Sequence, residues 1–144
     1  MAWADRVEIY ILINYNIIIG QDETCPIIIK CNNQMKIDFD KIPEVSIEGF
    51  KGGHGLLNSY NFSDEKMKIM YSILKPGAST GLHVHTGSCE VIYVLSGEAV
   101  FTYDGKEEII RVGQCHYCPE GHSHFMENRT THDLVYFAVV PTFE

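Results

Sequence analysis

The stretch GASTGLHVHTGSCEVIYVLSG, residues 77–97, combines a short histidine pair with a run of β-favouring residues. His83 and His85 are two residues apart, and on an extended strand such side chains lie on the same face. A short turn-forming segment separates them from Glu90, which begins the next β-rich run. Two imidazoles and one carboxylate can therefore converge on a single point between neighbouring strands.

A second histidine-containing stretch, GQCHYCPEGHSHFMEN, follows at residues 113–128. Its His122 and His124 are again two residues apart, so either could add an imidazole from a strand distant in sequence. Three imidazoles and a carboxylate form a ligand set that suits Zn, Fe, Ni or Mn. An isolated His-x-His pair is more often two solvated histidines, so the spacing alone leaves a metal open. Three further histidines lack such spacing and are interpreted as surface or structural residues: His54, His116 and His132.

From residue 35 onward the chain consists of short β-favouring runs separated by turn signals. Asp104-Gly105 is a strong hairpin signal between two of them. No segment shows convincing helical periodicity. The runs that predict strands are Met67 to Ile73, Glu90 to Leu95, Ala99 to Tyr103, Glu108 to Val112 and Leu134 to Val140. Many short strands at near-regular spacing indicate an all-β fold, either a sandwich or a small barrel.

Together, the two histidine stretches resemble the cupin family. The family's first motif, G-x5-H-x-H-x3,4-E-x6-G, is matched by Gly77, His83, His85, Glu90 and Gly97. Its second motif, G-x5-P-x-G-x2-H-x3-N, is matched by Gly113, Pro119, Gly121, His124 and Asn128. The motifs cover residues 77–128, and the flanking strands extend the resemblance over about residues 40–141.

The resemblance implies a cupin jelly-roll β-barrel, or double-stranded β-helix, which is usually a homodimer. It also implies one divalent metal ion per chain, with Mn, Fe, Zn or Ni as candidates, and it selects His124 over His122. The implied metal ligands are His83, His85, Glu90 and His124. Similar small cupins include isomerases, decarboxylases, dioxygenases, lyases and pure binding proteins, so the resemblance fixes no reaction.

We expect the site to bind and transform a small oxygen-rich molecule, namely a carboxylate, a diketone or enediol, or a sugar derivative. A metal would act there as a Lewis acid that holds two substrate oxygens. The predicted apolar wall of the pocket consists of Ile92, Phe101 and Met126. A non-enzymatic binding or sensor protein is the alternative function, and a structural barrel with a closed metal site is a third.

No catalytic residue is assigned from the sequence. Tyr71, Tyr93 and His122 are candidates for a general base, but no spacing argument supports any of them.

Residues 1–34 differ in composition from the rest of the chain, because they contain nine of the 17 isoleucines. The runs Ile9–Ile13, Ile17–Ile19 and Ile27–Ile29 are short and β-branched, which predicts strands. We expect this extension to pack on the barrel domain, residues 35–144, or on the sheet of a homodimer partner, because exposed apolar strands associate. A loose extension foreign to the main domain is the alternative.

The length of 144 residues indicates one domain. With 11 basic and 19 acidic residues the net charge is −8, which argues against nucleic-acid binding. No apolar stretch is long enough to span a membrane, and the acidic start is unlike a secretory signal, so we predict a cytoplasmic protein. The five cysteines are an odd number without a regular framework, so we predict that they are reduced, which also indicates a cytoplasmic compartment. Cys115 and Cys118 should not form a disulfide, because residues three apart on a strand point to opposite faces.

Overall fold

The computed structural model describes residues 15–18, 28–31 and 36–143, and within them the protein is nearly all β. The strands are β1 Tyr15–Ile18, β2 Ile28–Cys31, β3 Val45–Glu48, β4 Leu56–Ser63, β5 Met67–Leu74, β6 His83–Val84, β7 Glu90–Ser96, β8 Glu98–Tyr103, β9 Lys106–Arg111, β10 Cys115–Cys118, β11 Ser123–Glu127 and β12 Leu134–Pro141. Two 3-10 turns, Phe39–Lys41 and Phe50–Gly52, also occur. Among the described residues, no helix has the length and apolarity that crossing a membrane requires. The predicted all-β class is confirmed.

The strands form two antiparallel sheets, apart from one parallel contact near the N-terminus. The larger sheet has the order β1-β2-β4-β5-β12-β7-β10, with β3 also paired to β4, and the smaller has the order β6-β11-β8-β9. Neither sheet closes on itself among the described strands. Many neighbours in a sheet are distant in sequence, as in the order β5-β12-β7, and such connections are typical of a jelly roll.

The alternation of β7 shows why the sheets enclose a core. Its odd-numbered residues face solvent, and the fractional exposures of Val91 and Tyr93 are 36% and 39%. Its even-numbered residues are buried, from Glu90 through Ile92 to Val94, as the strand periodicity predicted. Apolar side chains from both sheets then form one buried cluster, which includes Leu74, Phe101 and Leu134.

The hairpin between β8 and β9 forms where the Asp-Gly signal predicted it. Asp104 and Gly105 have φ values of 45° and 79°. A tight hairpin turn with two left-handed residues matches the right-handed twist of the flanking strands, and Asp-Gly is a favoured pair for it.

The isoleucine-rich residues supply two strands to the larger sheet. β1 pairs antiparallel with β2, and Ile29 of β2 lies opposite Phe62 of β4 in a parallel contact. The run Ile9–Ile13 lies outside the described residues. The division into residues 1–34 and 35–144 stays a prediction.

The cysteine pair of β10 behaves as its spacing predicted. Cys115 is exposed and Cys118 is buried, and both thiols are free. Burial raises the pKa of Cys118 to about 11, so its thiol stays protonated at neutral pH.

Asn128, the final residue of the second motif, holds together the loop before β12. Its Nδ2 donates hydrogen bonds to the carbonyl oxygens of Leu74 and His132, at 2.9 and 2.8 Å. Its Oδ1 accepts hydrogen bonds from the backbone N–H and the hydroxyl of Thr130. A fully buried amide with all these bonds fixes the loop to β5, which is a structural role.

Candidate metal centre

Four donor side chains come together between the two sheets. His83 lies on β6, His85 follows that strand, Glu90 begins β7 and His124 lies on β11. The pairing of β6 with β11 sets His83 directly opposite His124. One donor atom from each of the four residues lies within 4.8 Å of every other. The structure thus brings together the four residues that the motifs select, while their role as metal ligands stays a prediction.

The inward-facing atoms of this cluster are three Nε2 atoms and Glu90 Oε2. His124 Nε2 is 3.0 Å from the Nε2 atoms of both His83 and His85, and also 3.0 Å from Glu90 Oε2. Glu90 Oε2 is 3.2 Å from His85 Nε2 and 3.9 Å from His83 Nε2. Ligands at right angles on one ion, with bonds of about 2.1 Å, are about 3.0 Å apart. The spacing of these donors therefore fits a single coordination sphere.

The outer ring nitrogen of His83 is held by the backbone. His83 Nδ1 lies 2.9 Å from the carbonyl oxygen of Gly81, and because a carbonyl only accepts, Nδ1 donates this hydrogen bond. In the neutral ring the Nε2 atom then has a lone pair, which faces the cluster. His85 has a corresponding contact, since its Nδ1 lies 3.2 Å from Ser88 Oγ.

A buried chain of side chains sets the ring of His124 in the same way. His116 Nδ1 lies 3.4 Å from the carboxylate of Glu108, which only accepts, so Nδ1 donates. The Nε2 atom of neutral His116 is then an acceptor, and it lies 3.0 Å from His124 Nδ1. His124 therefore donates from Nδ1 and presents the lone pair of Nε2 to the cluster. Such outer partners orient the ligands of protein metal sites and make them more basic.

The donor set has the chemistry of a cation site. The lone pairs of His83 and His124 Nε2, only 3.0 Å apart, repel each other unless a proton or a metal ion lies between them. Burial by itself would raise the pKa of Glu90, but the contacts with His124, His83 and His85 outweigh burial and hold this pKa well below its usual range when the Nε2 atoms carry protons. A divalent ion bound to the Nε2 lone pairs in place of those protons would favour the Glu90 carboxylate in the same way. Glu90 is therefore a carboxylate, and the cluster offers a negative charge and imidazole lone pairs to a divalent ion.

His122, the rival of His124, lies elsewhere. Its side chain is 44% exposed, and its Nδ1 is 2.5 Å from Asp104 Oδ2, which lowers the pKa of Asp104. The partner of His122 is therefore Asp104, a surface residue in the hairpin turn that follows β8. The other two candidate bases also lie away from the cluster: Tyr71 packs against Phe39 and Tyr60, and Tyr93 is on the exposed face of β7.

A cavity of about 300 Å³ adjoins the four donors. The three residues predicted as an apolar wall line it, namely Ile92, Phe101 and Met126. Its lining also has polar groups that the sequence did not single out, namely Lys51, Ser59, Lys68, Ser72 and Tyr136. Burial raises the pKa of Tyr136 well above its usual value, and the charge of Glu90 adds to the effect. The Tyr136 hydroxyl is therefore protonated and can donate a hydrogen bond into the cavity.

The fold and the site together define the class of protein. Residues 70–140 match the family model described as a cupin domain. The chain is 33% identical over 112 residues to an oxalate-binding protein of Thermotoga maritima, an alignment that covers 74% of this chain and 93% of the relative. This chain belongs to the cupin family.

Solved structures agree with this assignment. The crystal structure of a predicted oxalate decarboxylase from Thermotoga maritima matches with a TM-score of 0.71 and 30% identity, over 76% of this chain and all of that one. A sugar phosphate isomerase from a cupin superfamily, from Silicibacter pomeroyi, matches with a TM-score of 0.61 and 24% identity, over 74% of each chain. At that identity the second match shows the fold alone.

Besides the polar groups of the cavity, His116 is a residue of this region that the sequence did not indicate. His116 was interpreted as a surface or structural residue, yet it is fully enclosed and stacks on Phe101 with ring centroids 4.0 Å apart. Its contact with His124 joins strands of different sheets, so no periodicity along the chain could have indicated it.

Proposed function

We propose that this protein binds a small carboxylate anion at a divalent metal ion held by His83, His85, Glu90 and His124. The observation that supports this most directly is the convergence of these four donors beside a cavity. Three neutral imidazoles and one carboxylate leave a divalent ion with a net positive charge, which favours an anionic ligand. The name of the Thermotoga maritima relative, an oxalate-binding protein, supports the same ligand class.

The side chains of the cavity perform the binding in distinct ways. When bound, the metal supplies Lewis-acid chemistry, because it holds and polarises the oxygens of a chelating ligand. The imidazoles are fixed in advance by their outer hydrogen bonds, so binding requires little reorganisation. Tyr136 donates to a ligand oxygen, and the apolar wall of Ile92, Phe101 and Met126 limits the access of water.

Transformation of the bound acid, by decarboxylation, isomerisation, lyase or oxygen chemistry, is the enzymatic form of this proposal. Binding without turnover is the second candidate. It is favoured by one observation: Glu90 is the single carboxylate among the described residues that line the cavity, and it is already engaged by the histidines. No uncommitted carboxylate of the described lining is therefore left to act as a general base.

Calorimetry with oxalate tests the proposal. Metal-free protein would be loaded in turn with Mn, Fe, Zn or Ni and titrated with oxalate, and we expect binding only in a loaded form. Glu90→Gln should weaken metal uptake, because it keeps the shape but removes the charge, whereas His122→Ala is the matched control and should load normally. Failure of every loaded form to bind oxalate or a longer acid such as malate would contradict the proposal. Release of product from bound acid, followed by NMR, separates an enzyme from a binding protein.

The homodimer implied by the family resemblance is proposed for the outward face of β7 and β10. Val91, Tyr93 and Leu95 of β7 are exposed there, and Tyr117 of β10 lies directly opposite Val91. Contiguous exposed apolar side chains favour association. Light scattering should give a dimer mass for the wild type and a monomer mass for Tyr117→Lys; a monomeric wild type contradicts the proposal.

A further inference from the structure

Two lysines line the cavity beside the four donors, and neither forms an ion pair with a carboxylate of the described residues. Lys51 lies in the 3-10 turn before β4, and Lys68 lies on β5. Among residues 36–143 no carboxylate lies within ion-pair distance of either ammonium, and Lys51 Nζ lies 5.6 Å from the centroid of the Phe50 ring. The charge of both lysines is thus available to a ligand.

Lys51 is held at the cavity by close backbone packing. A Cβ atom on Gly81 would lie 1.7 Å from the carbonyl oxygen of Lys51, and one on Gly53 would lie 2.2 Å from that of Ser79. Only glycines permit this approach, which presses the Lys51 turn against the segment that leads to His83. Lys51 itself has a φ of 54°, a left-handed conformation that is uncommon for a residue with a side chain. Backbone strain of this kind clusters at functional sites.

The strand register places Lys68 at the same end of the sheet as the metal cluster. Lys68 lies opposite Val140 of β12, and on the other side of β12 the Val139–Val91 pair is adjacent to Glu90. Lys68 and Glu90 therefore lie at the same level of the sheet, with β12 between them. Two strand spacings separate their backbones by about 10 Å. Both belong to the inward rows of their strands, so that their side chains face the same cavity.

The electrostatics of the two lysines point to an anionic ligand. Burial lowers the pKa of Lys51, and the neighbouring charge of Lys68 lowers it further, while the charge of Glu90 opposes this. Glu90 is the one carboxylate of the described cavity lining, and a metal ion at the four donors would neutralise its charge. The two lysines would then repel each other, and an anion between them would relieve that repulsion. The cavity of about 300 Å³ is also several times larger than oxalate, which leaves space beyond a chelated acid group.

We propose that Lys51 and Lys68 form an anion subsite, and that the ligand of this protein is an acid with a chelating end at the metal and a second anionic group at these lysines. This inference rests on the proposed function, because it assumes that an acid group binds at the four-donor cluster. It excludes oxalate as the best ligand, since oxalate is too short to reach both places. The second group is a carboxylate or a phosphate, which share this chemistry.

Matched pairs of acids test the subsite in the metal-loaded protein by calorimetry. Malate and 2-hydroxybutanoate share the chelating end and differ in the second carboxylate. 3-Phosphoglycerate and glycerate differ in the phosphate. Charge-assisted contacts should make the acid with the second anionic group bind about tenfold more tightly than its partner in at least one pair. The pair with the larger ratio identifies whether a carboxylate or a phosphate is preferred.

Substitutions of the two lysines then test whether these residues cause the difference in affinity within a pair. Lys68→Met keeps the aliphatic stem without the charge, and Lys51→Asn suits the left-handed backbone at that position. Each should reduce the ratio to about twofold, whereas Lys106→Met, on the exposed strand β9, should leave it unchanged. Oxalate affinity serves as the internal reference, because it depends on the metal cluster and reports that the variant is folded.

The outcomes separate this inference from the proposed function. Binding of oxalate with equal affinities within both pairs overturns the subsite and leaves the metal proposal standing. A large ratio that persists in both Lys68→Met and Lys51→Asn also overturns it, since the selectivity would come from elsewhere. Failure of oxalate and of all four acids to bind contradicts the proposed function itself.

Discussion

The space between the two sheets is divided into two halves of opposite character. In one half the inward side chains are apolar and completely buried, as at Leu74, Val94 and Leu134. In the other half, polar and charged side chains such as Glu90 and Lys68 line a cavity together with the apolar wall. The same strands supply both halves, since β5 contains Lys68 and Leu74 in one inward row.

This division shows that a side chain can face inward without belonging to the water-free core. The alternation of a strand decides which residues point inward, and the position along the strand decides what they meet there. The inward face of β7 changes from Glu90 to Val94 within five residues of the strand. A rigid apolar half can thus hold the strands in place while the polar half remains open to a ligand.

The largest effect is expected from removing a ligand in the polar half. His124→Ala leaves three donors, so affinity for a divalent ion should fall at least about a hundredfold, while His122→Ala should keep wild-type metal content. Metal stoichiometry after dialysis measures both variants side by side. Loss of metal from His122→Ala with retention in His124→Ala would show that the motif assignment is wrong at this position.

Truncation of a side chain in the apolar half should lower the stability of the fold and leave the metal affinity nearly unchanged. Leu134→Ala removes a completely buried side chain that packs with Leu74, so the free energy of unfolding should fall by about 2–5 kcal/mol. The metal affinity of the folded protein should change less than about threefold, because Leu134 does not line the cavity. Urea unfolding and metal titration measure the two quantities; a large loss of metal affinity would break the distinction between the halves.

His116 tests whether the chain of side chains behind His124 belongs to the polar half. His116→Phe keeps the stacking on Phe101 but removes the acceptor for His124 Nδ1, so metal affinity should fall about 10- to 100-fold. Glu108→Gln should cause a smaller loss, since Glu108 is half exposed. The absorption spectrum of the Co²⁺-loaded protein should also change in His116→Phe, because it reports the ligand field. An unchanged spectrum and affinity would make His116 a packing residue only.

The smallest effect concerns pH in the metal-free protein. Burial lowers the pKa of His124 and of His116, so the unfolded chain takes up protons more readily than the folded one as pH falls below about 6.5. Stability should therefore be complete above that pH and decrease by about 1 kcal/mol per pH unit below it. Thermal unfolding at pH 7.5 and 5.5 measures this, and His116→Phe should reduce the difference. A melting temperature that rises on acidification would contradict the sign.

Much of this organisation could be predicted from the sequence, because it is encoded at short range. The two-residue spacing of His83 and His85, and the strand that begins at Glu90, indicated the convergence of their side chains. The hairpin at Asp104-Gly105 could also be predicted, because its signal is a pair of adjacent residues. The motif resemblance added His124, which no local pattern separated from His122.

The residues that escaped prediction depend on contacts between distant segments. Lys51 reaches the cavity because its turn packs on Gly81, and neither residue has a pattern that points to the other. Lys68 faces the cavity because β5, β12 and β7 are aligned at one level, and that alignment is set by the whole sheet. A charged residue in a β-favouring run is more often on the solvent face, so no local pattern placed Lys68 inside.

The position of β12 has a consequence for the order in which the protein can fold. β12 lies between β5 and β7, and it pairs Leu134 with Leu74 and Pro141 with Met67, contacts that join very distant parts of the chain. While synthesis has not passed residue 141, β5 and β7 expose unpaired edges to other nascent chains. Such a topology of high contact order folds slowly, because loop closure costs entropy before the central strand can be inserted. Ribosome-bound chains stopped before β12 should thus be captured by holdase chaperones, and release past residue 141 should mark the onset of protease resistance.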